Sequence, residues 1–282
     1  MNTNSLQLNL NNTLIDLTTP VVMGIVNVTP DSFFKENRFI TPKKVLQAVE
    51  LMIENGVLII DIGGFSTRPG AENISQDEEI SRVSRALELI LKNFPNILIS
   101  VDTFRSGVAR HVVKNYQVAM INDIGGGTLD DLMFETIADL QVAYVLMHIR
   151  GNPQNMQLKT HYEDVIDDIL KYFEKRVAQL HLLGVKDIVI DPGFGFAKTL
   201  DQNYLILKKL SYFKELNLPI LAGLSRKSML YKLINIDIDD ALNATTAANM
   251  LALMSGASIL RVHDVKEAVQ AIQIYKKYNE VN

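Results

Sequence analysis

A chain of 282 residues, 48% hydrophobic and 21% charged, has the composition of a soluble globular enzyme with a sizeable core. A net charge of −4 without a basic block argues against broad electrostatic binding to nucleic acid, while leaving room for a local cationic pocket. With no cysteine, disulfides, Cys-zinc sites and thiol nucleophiles are excluded.

The first residues, MNTNSLQLNLNN, are polar and uncharged, unlike a signal peptide, and no apolar run approaches the ~18 residues of a membrane span. The expectation is a cytoplasmic protein that binds neither membrane nor nucleic acid. Leu and polar residues alternate around Asn11-Asn12, which predicts a hairpin over residues 6–17. Short β-branched runs then predict strands at 21–27, 58–63, 98–102, 119–123, 143–148, 188–192, 219–223 and 259–263. Between and after them, helical patterns cover 42–55, 77–93, 105–115, 130–140, 162–183, 200–215, 239–256 and 264–279. In EEISRVSRALELILKNF, for example, Ile80, Val83, Leu87, Ile90 and Leu91 recur at helical spacing. Thr41-Pro42 reads as an N-cap followed by Pro at the first helical position, and Gly56 and Gly184 fall where helices should stop. Asp264 is a candidate cap for the last helix. Eight strand–helix pairs predict a single-domain (β/α)8 TIM barrel preceded by a short N-terminal hairpin, with a doubly wound open sheet as the alternative.

Polar residues gather where the strands end. The first strand ends at Asn27, the second carries Asp61 and runs into GGFSTRPG, and the third ends at Asp102. The fourth ends at Asn122 and Asp123, the fifth at Met147 and His148, and the sixth at Asp191 before PGFGFAK. The seventh leads into GLSRKS, and the eighth closes as ILRVH. In a barrel all these ends face one mouth. Because strand side chains alternate, Arg261 and His263 share a face. Asp102, Asp191 and Asn122 suit a donor-rich heterocycle such as a guanine-like or pterin-like edge. Arg68, Arg261 and His263 suit phosphate or diphosphate, and Lys227 could reach either part. A ligand with a heterocyclic head and an anionic tail fits both sets.

The ordered stretches MGIVNVTPDSF, DIGGFSTRPGA, SVDT, INDI, HIRGNPQNMQ, DPGFGFAKT, GLSRKS and LRVHDV resemble the motifs of the dihydropteroate synthases, across residues 21–265. The resemblance implies a (β/α)8 barrel, usually a homodimer, that joins 6-hydroxymethyl-7,8-dihydropterin diphosphate to 4-aminobenzoate with magnesium assisting the diphosphate. Matched motif by motif, it assigns Asp102, Asn122 and Asp191 to the pterin edge, with Lys227 over the ring and Met147 and Phe196 beside it. It assigns Asn27, Thr67, Arg68, Arg261, Val262 and His263 to the diphosphate, and Asn27 to Mg2+. It places Phe33, Arg68, Pro69, Lys227 and Ser228 at 4-aminobenzoate. Asp102, Asp31, Arg261 and His263 then carry the catalysis: an SN1-like loss of diphosphate, with Asp102 and Asp31 stabilising the cation. Met250, Leu251 and Leu253 are candidates for the subunit contact.

The chain departs from the family pattern at three points: loop 1 continues as Phe34-Lys35-Glu36-Asn37, Phe65 stands where Glu is usual, and Ala197 where Gly is usual. Two rival readings share the pterin site: a pterin-dependent methyltransferase, which has no need of the diphosphate cations, and a catalytically silent pterin-binding homologue. Elsewhere, Asp61 and Asp123 read as supporting groups, and Arg226 as either a ligand or a structural partner. His148 is ambiguous, and His111, His161 and His181 read as solvated. Gly125–Gly127 reads as a flexible loop, and the acidic run at 163–168 as a solvated helix start.

Overall fold

The computed structural model describes residues 6–28, 41–66 and 74–281. Two strands, β1 (Gln7–Leu10) and β2 (Thr13–Asp16), pair antiparallel about Asn11 and Asn12, both at positive φ. Asn tolerates that conformation better than most residues, as a two-residue hairpin turn requires.

Eight parallel strands follow: β3 (Val21–Asn27), β4 (Ile59–Gly63), β5 (Leu98–Asp102), β6 (Met120–Asp123), β7 (Ala143–Met147), β8 (Ile188–Asp191), β9 (Leu221–Ala222) and β10 (Ile259–Val262). Their order is β8-β7-β6-β5-β4-β3-β10-β9, and a parallel bridge between Ile190 and Ile220 joins the two ends. The barrel is therefore closed, as predicted, and the open-sheet alternative falls. The strand predicted at 219–223 shrinks to two residues plus that bridge. It begins beside Pro219, which has no N–H to give.

The helices are α1 (Pro42–Glu54), α2 (Gln76–Asn93), α3 (Ser106–Tyr116), α4 (Met133–Leu140), α5 (Val165–Leu182), α6 (Leu200–Lys208), α7 (Ser228–Tyr231), α8 (Leu242–Met254) and α9 (Val265–Glu280). Thr41 caps α1 with Pro42 next, and Gly56 and Gly184 follow α1 and α5 at positive φ, as expected. The pattern at 162–183 starts only at Val165, because Asp164 accepts from the N–H groups of Ile166 and Asp167 and so sets the N-terminus. Asp167 and Asp168 occupy the first turn, where negative charge is favoured. The pattern at 200–215 divides into α6 and a 3₁₀ segment, Leu210–Leu216, and a 3₁₀ turn at Ile238–Asp240 precedes α8. Asp264, expected as a cap, precedes α9 without a capping hydrogen bond and pairs instead with Arg226.

The main core lies between barrel and helices. A second cluster fills the barrel's lower end, where Leu8, Leu10 and Leu17 pack on Met23, Ile59, Met120, Val145, Val189, Leu221 and Ile259. The hairpin is thus a plug for the closed end, and each buried leucine there contributes about 2 kcal/mol. With that end filled by apolar side chains, polar chemistry is left to the other. Among the described residues no helix is long and apolar enough to cross a membrane.

Candidate active site

Strand register decides what meets at the mouth. Asn27 pairs with Gly63, Gly63 with Asp102, and Asp102 with Asn122, so four neighbouring strands present one row. Gly63 leaves this row open, since a Cβ there would come 3.2 Å from Asn27 Oδ1 and 3.6 Å from Asp102 Cβ. Met147 pairs with Asp191 on the opposite wall. The predicted residues Asn27, Asp102, Asn122, Met147, Asp191 and Arg261 therefore all lie at or just below the strand ends.

Below the row sits Asp61, fully buried. Its Oδ2 accepts from Asn122 Nδ2 at 3.0 Å and from Arg261 Nε at 2.6 Å, while Arg261 Nη2 donates to Asp102 Oδ2 at 2.7 Å. Asp61 is thus the supporting group that the sequence suggested. Burial opposes the Arg261 charge, but Asp61 and Asp102 more than offset it and hold its pKa above the usual value. Burial pushes Asp102 up to about 7 even with Arg261 beside it, and raises Asp191 despite Lys227 and the Gly193 N–H. Both carboxylates are costly to keep ionised without a donor-rich partner.

The second wall is apolar. Met147, Ile124, Ile149, Met156 and Ala197 form a small cluster against which Phe104 and Phe196 pack. Lys227 Nζ lies 4.6 Å from the centre of the Phe196 ring and donates to the Phe194 carbonyl. Burial lowers its pKa to about 8, against the pull of Asp191. Met147, Phe196 and Lys227 thus do meet beside Asp191. Ser228 opens α7 and is exposed. His263 lies just past β10, exposed, its Nδ1 3.0 Å from Ser225 Oγ, while Val262 is buried. Asp31, Phe33, Thr67, Arg68 and Pro69, with Phe34, Lys35 and Glu36, lie outside the described residues.

Other expectations resolve or change. Arg226 is a structural partner, paired to Asp264 through two bonds of 2.7 and 3.0 Å. His111 is not solvated: it is half-buried between α2 and α3, 3.1 Å from Ser84 Oγ. Gly125–Gly127 is not a free loop, because the N–H groups of Gly125 and Gly127 each donate to the Asp123 carboxylate at 2.7 Å. The Tyr144 hydroxyl adds a third bond at 2.6 Å. Burial still pushes Asp123 up to about 6. Of the three candidate contact residues on α8, Leu253 is fully buried within the subunit and Met250 packs on the core, which leaves Leu251 at the surface with Met254.

Two polar groups escaped notice in the sequence. Glu79, in QDEEI at the start of α2, is fully buried, accepting from Thr103 Oγ1 at 2.7 Å and Arg105 Nη1 at 2.6 Å. Lys198, in the loop after β8, is 4% exposed and bonded to His148. The local pattern around each gave no sign of burial.

Magnesium would need a hard oxygen ligand with room for phosphate oxygens beside it. Asn27, whose amide oxygen faces the gap left by Gly63, fits that need. No cluster of three or more acidic, His or Cys ligands exists among the described residues, so a cage made wholly of protein is not offered there.

The chain matches the pterin binding enzyme family over residues 23–263. It is 41% identical over 264 residues to dihydropteroate synthase of Escherichia coli K12, covering 93% of each chain. It is similar in structure to Yersinia pestis dihydropteroate synthase in a sulfonamide drug complex, with a TM-score of 0.91 and 37% identity over 98% of this chain and all of that one. Xanthomonas albilineans dihydropteroate synthase, solved with 4-aminobenzoic acid, gives a TM-score of 0.90 and 35% identity over 99% of this chain and all of that one. With the closed barrel and the row of polar strand ends, these matches show that the chain belongs to the pterin binding enzymes and, within them, to the dihydropteroate synthases.

Proposed function

We propose that the barrel mouth joins (7,8-dihydropterin-6-yl)methyl diphosphate to 4-aminobenzoate, giving 7,8-dihydropteroate and diphosphate in folate synthesis. The observation that carries this reading is the convergence of Asp102, Asn122 and Asp191 on a cavity mouth walled by Met147 and Phe196 and topped by Lys227. Carboxylates on one side answer the amino and ring N–H donors of a pterin, and the apolar wall answers its faces.

The chemistry needs little proton transfer. The C–O bond to diphosphate breaks with its electron pair leaving on oxygen, helped by the electron-rich dihydropterin ring. The 4-aminobenzoate nitrogen lone pair then forms the C–N bond, and the proton it loses goes to solvent or to the released diphosphate. Asp102, together with Asp31, would stabilise the methylene cation with negative charge. Arg261 and His263, with Thr67, Arg68 and the backbone of Val262, would hold the departing diphosphate. Magnesium, held through Asn27, would supply further positive charge to the phosphate oxygens. Phe33, Arg68, Pro69, Lys227 and Ser228 would receive 4-aminobenzoate, where sulfonamides would compete. Residence in the cytoplasm and pairing as a homodimer belong to the same proposal, and the exposed Leu251 and Met254 of α8 with Ile274 of α9 support the latter.

The test is incubation of the purified protein with the dihydropterin diphosphate, Mg2+ and 4-aminobenzoate. Equimolar dihydropteroate and diphosphate are expected, whereas pterin binding without turnover would overturn the synthase reading in favour of a silent homologue. Product formation from pterin and a methyl donor without diphosphate would point to the methyltransferase.

A further inference from the structure

Among the described residues, Lys198 is a buried cation that the mechanism leaves unused. It follows β8 in the loop that begins with Asp191, and it is 4% exposed. Its Nζ donates to Gly193 O at 2.9 Å and to Phe196 O at 2.9 Å, and lies 3.1 Å from His148 Nδ1. Two of these partners are carbonyls and can only accept. An ammonium can only donate, so His148 Nδ1 is the acceptor in that contact and the other ring nitrogen carries the hydrogen.

The surroundings make this a hub. The backbone N–H of His148 donates to the Asp191 carbonyl at 2.9 Å, and the ring meets Tyr172 edge-on at 4.8 Å. The Tyr172 hydroxyl shares its single proton between Met147 O at 3.1 Å and Gly126 O at 3.2 Å. The Tyr162 hydroxyl donates to Ala197 O at 3.0 Å, and Arg150 lies over the Tyr162 ring at 3.8 Å. The loop itself folds back on Asp191, whose Oδ1 accepts from Gly193 N–H at 2.7 Å. Gly193 sits at φ +72, and a Cβ there would overlap the His148 carbonyl oxygen, so β7 and this loop touch backbone to backbone.

We propose that Lys198 is a positioning residue for heterocycle recognition. Its buried ammonium ties Gly193, Phe196 and His148 together, aims Asp191 into the mouth, and supplies positive charge behind that carboxylate. The groups that bear on the pair come from four strand ends: His148 and Arg150 after β7, Asp191 at the end of β8, Lys227 after β9 and Arg261 on β10. Lys198, Lys227 and Arg261 all favour the ionised form of Asp191 against its burial, and Asp191 in turn supports the Lys198 charge against burial, Lys227 and Arg150, which push its pKa well down. Lys198 alone among them also bonds the loop carbonyls on both sides of Phe194 and Gly195. The inference rests on the pterin reading of the mouth.

The experiment is the dissociation constant of 6-hydroxymethyl-7,8-dihydropterin measured by calorimetry between pH 5.5 and 9. Wild type, Lys198→Met, Asp191→Asn, the double variant and His148→Asn are compared, each checked for a cooperative thermal transition. Lys198→Met should weaken binding about tenfold and move the acidic limb of the profile to higher pH, while KM for 4-aminobenzoate stays within about twofold. The double variant should bind no worse than Asp191→Asn alone, because the lysine acts through that carboxylate. His148→Asn keeps an acceptor near the Nδ1 position and should stay within about threefold of wild type. Wild-type affinity and profile in Lys198→Met, or additive losses in the double variant, would overturn the proposal. Should Lys198→Met fail to fold, a tenfold loss in His148→Asn would overturn it too, by giving the role to the imidazole. Failure of the wild type to bind the pterin would overturn the reading of the mouth and this inference together.

Discussion

Asp61 Oδ2 is shared between Arg261 Nε at 2.6 Å and Asn122 Nδ2 at 3.0 Å, so one buried oxygen orients a group proposed for the diphosphate and a group proposed for the pterin. Its other oxygen, Oδ1, has no partner among the described residues, nor has Ser100 Oγ on the registered neighbour. Asp61→Asn removes the charge opposite a buried guanidinium while keeping the volume. We expect stability to fall by about 3 kcal/mol, read by denaturant unfolding. The KM for pterin diphosphate should rise and kcat fall together, since both halves of the substrate lose their anchor. An effect on KM alone would mean that Arg261 is held without Asp61.

The pH dependence follows from three shifted groups at the mouth: Asp102 and Asp191, both raised by burial and both contributing to the acidic limb, and Lys227, which is lowered. Asp102, raised by burial to about 7, protonates below that pH and stops accepting from the ligand. Lys227, lowered by burial to about 8, loses its charge above that pH. In the free protein, pterin affinity should therefore peak between about 7 and 8 and decline on both sides. Calorimetric titration checks this, and Lys227→Met should remove the alkaline limb. A flat profile from pH 5 to 7 would show that Asp102 and Asp191 stay ionised throughout.

Phe65 takes the position where the family usually has Glu. Its ring meets Phe104 edge-on at 5.2 Å, and Arg105 lies 5.3 Å from its centre while pairing with buried Glu79. The acidic partner of Arg105 thus comes from α2, and the aromatic side chain stacks instead. Phe65→Ala should cost about 1–2 kcal/mol from the lost ring contacts, seen as a lower melting temperature. Unchanged melting would show that the pair contributes nothing to stability.

Ala197, where Gly is usual, sits at φ +52 and is fully buried. Ala197→Gly relieves about 1 kcal/mol of left-handed strain but removes a buried methyl worth about 0.8 kcal/mol. The two nearly cancel, and unfolding should show a change within about 0.5 kcal/mol. Gly193→Ala is the contrasting case. Both its positive φ and the overlap with the His148 carbonyl oppose a Cβ, and a loss of about 3 kcal/mol with loss of pterin binding is expected.

Leu251 on α8 is 54% exposed. Leu251→Glu should leave the melting of an isolated subunit within about 0.5 kcal/mol of wild type. If α8 pairs two copies, sedimentation should show the mass falling from dimer to monomer. A dimer that survives the charge would move the interface elsewhere.

The sequence by itself determined the barrel, because eight β-branched runs alternate with helical periodicity and carry local stop signals such as Asn11-Asn12, Thr41-Pro42, Gly56 and Gly184. It also determined which residues crowd the mouth, since strand ends in a barrel all point one way and Asn27, Asp102 and Asp191 end their strands, with Asn122 one residue short of the end of β6. Tertiary structure alone decided who pairs with whom. Arg226 with Asp264, Arg261 with Asp61 and Asp102, Glu79 with Arg105, and Lys198 with His148 join residues 26 to 200 positions apart. Local pattern carries no record of such distances. The burial of Glu79 and Lys198 has no local signature, because burial of an ion depends on a partner from another element, and that partner is fixed only when the barrel closes.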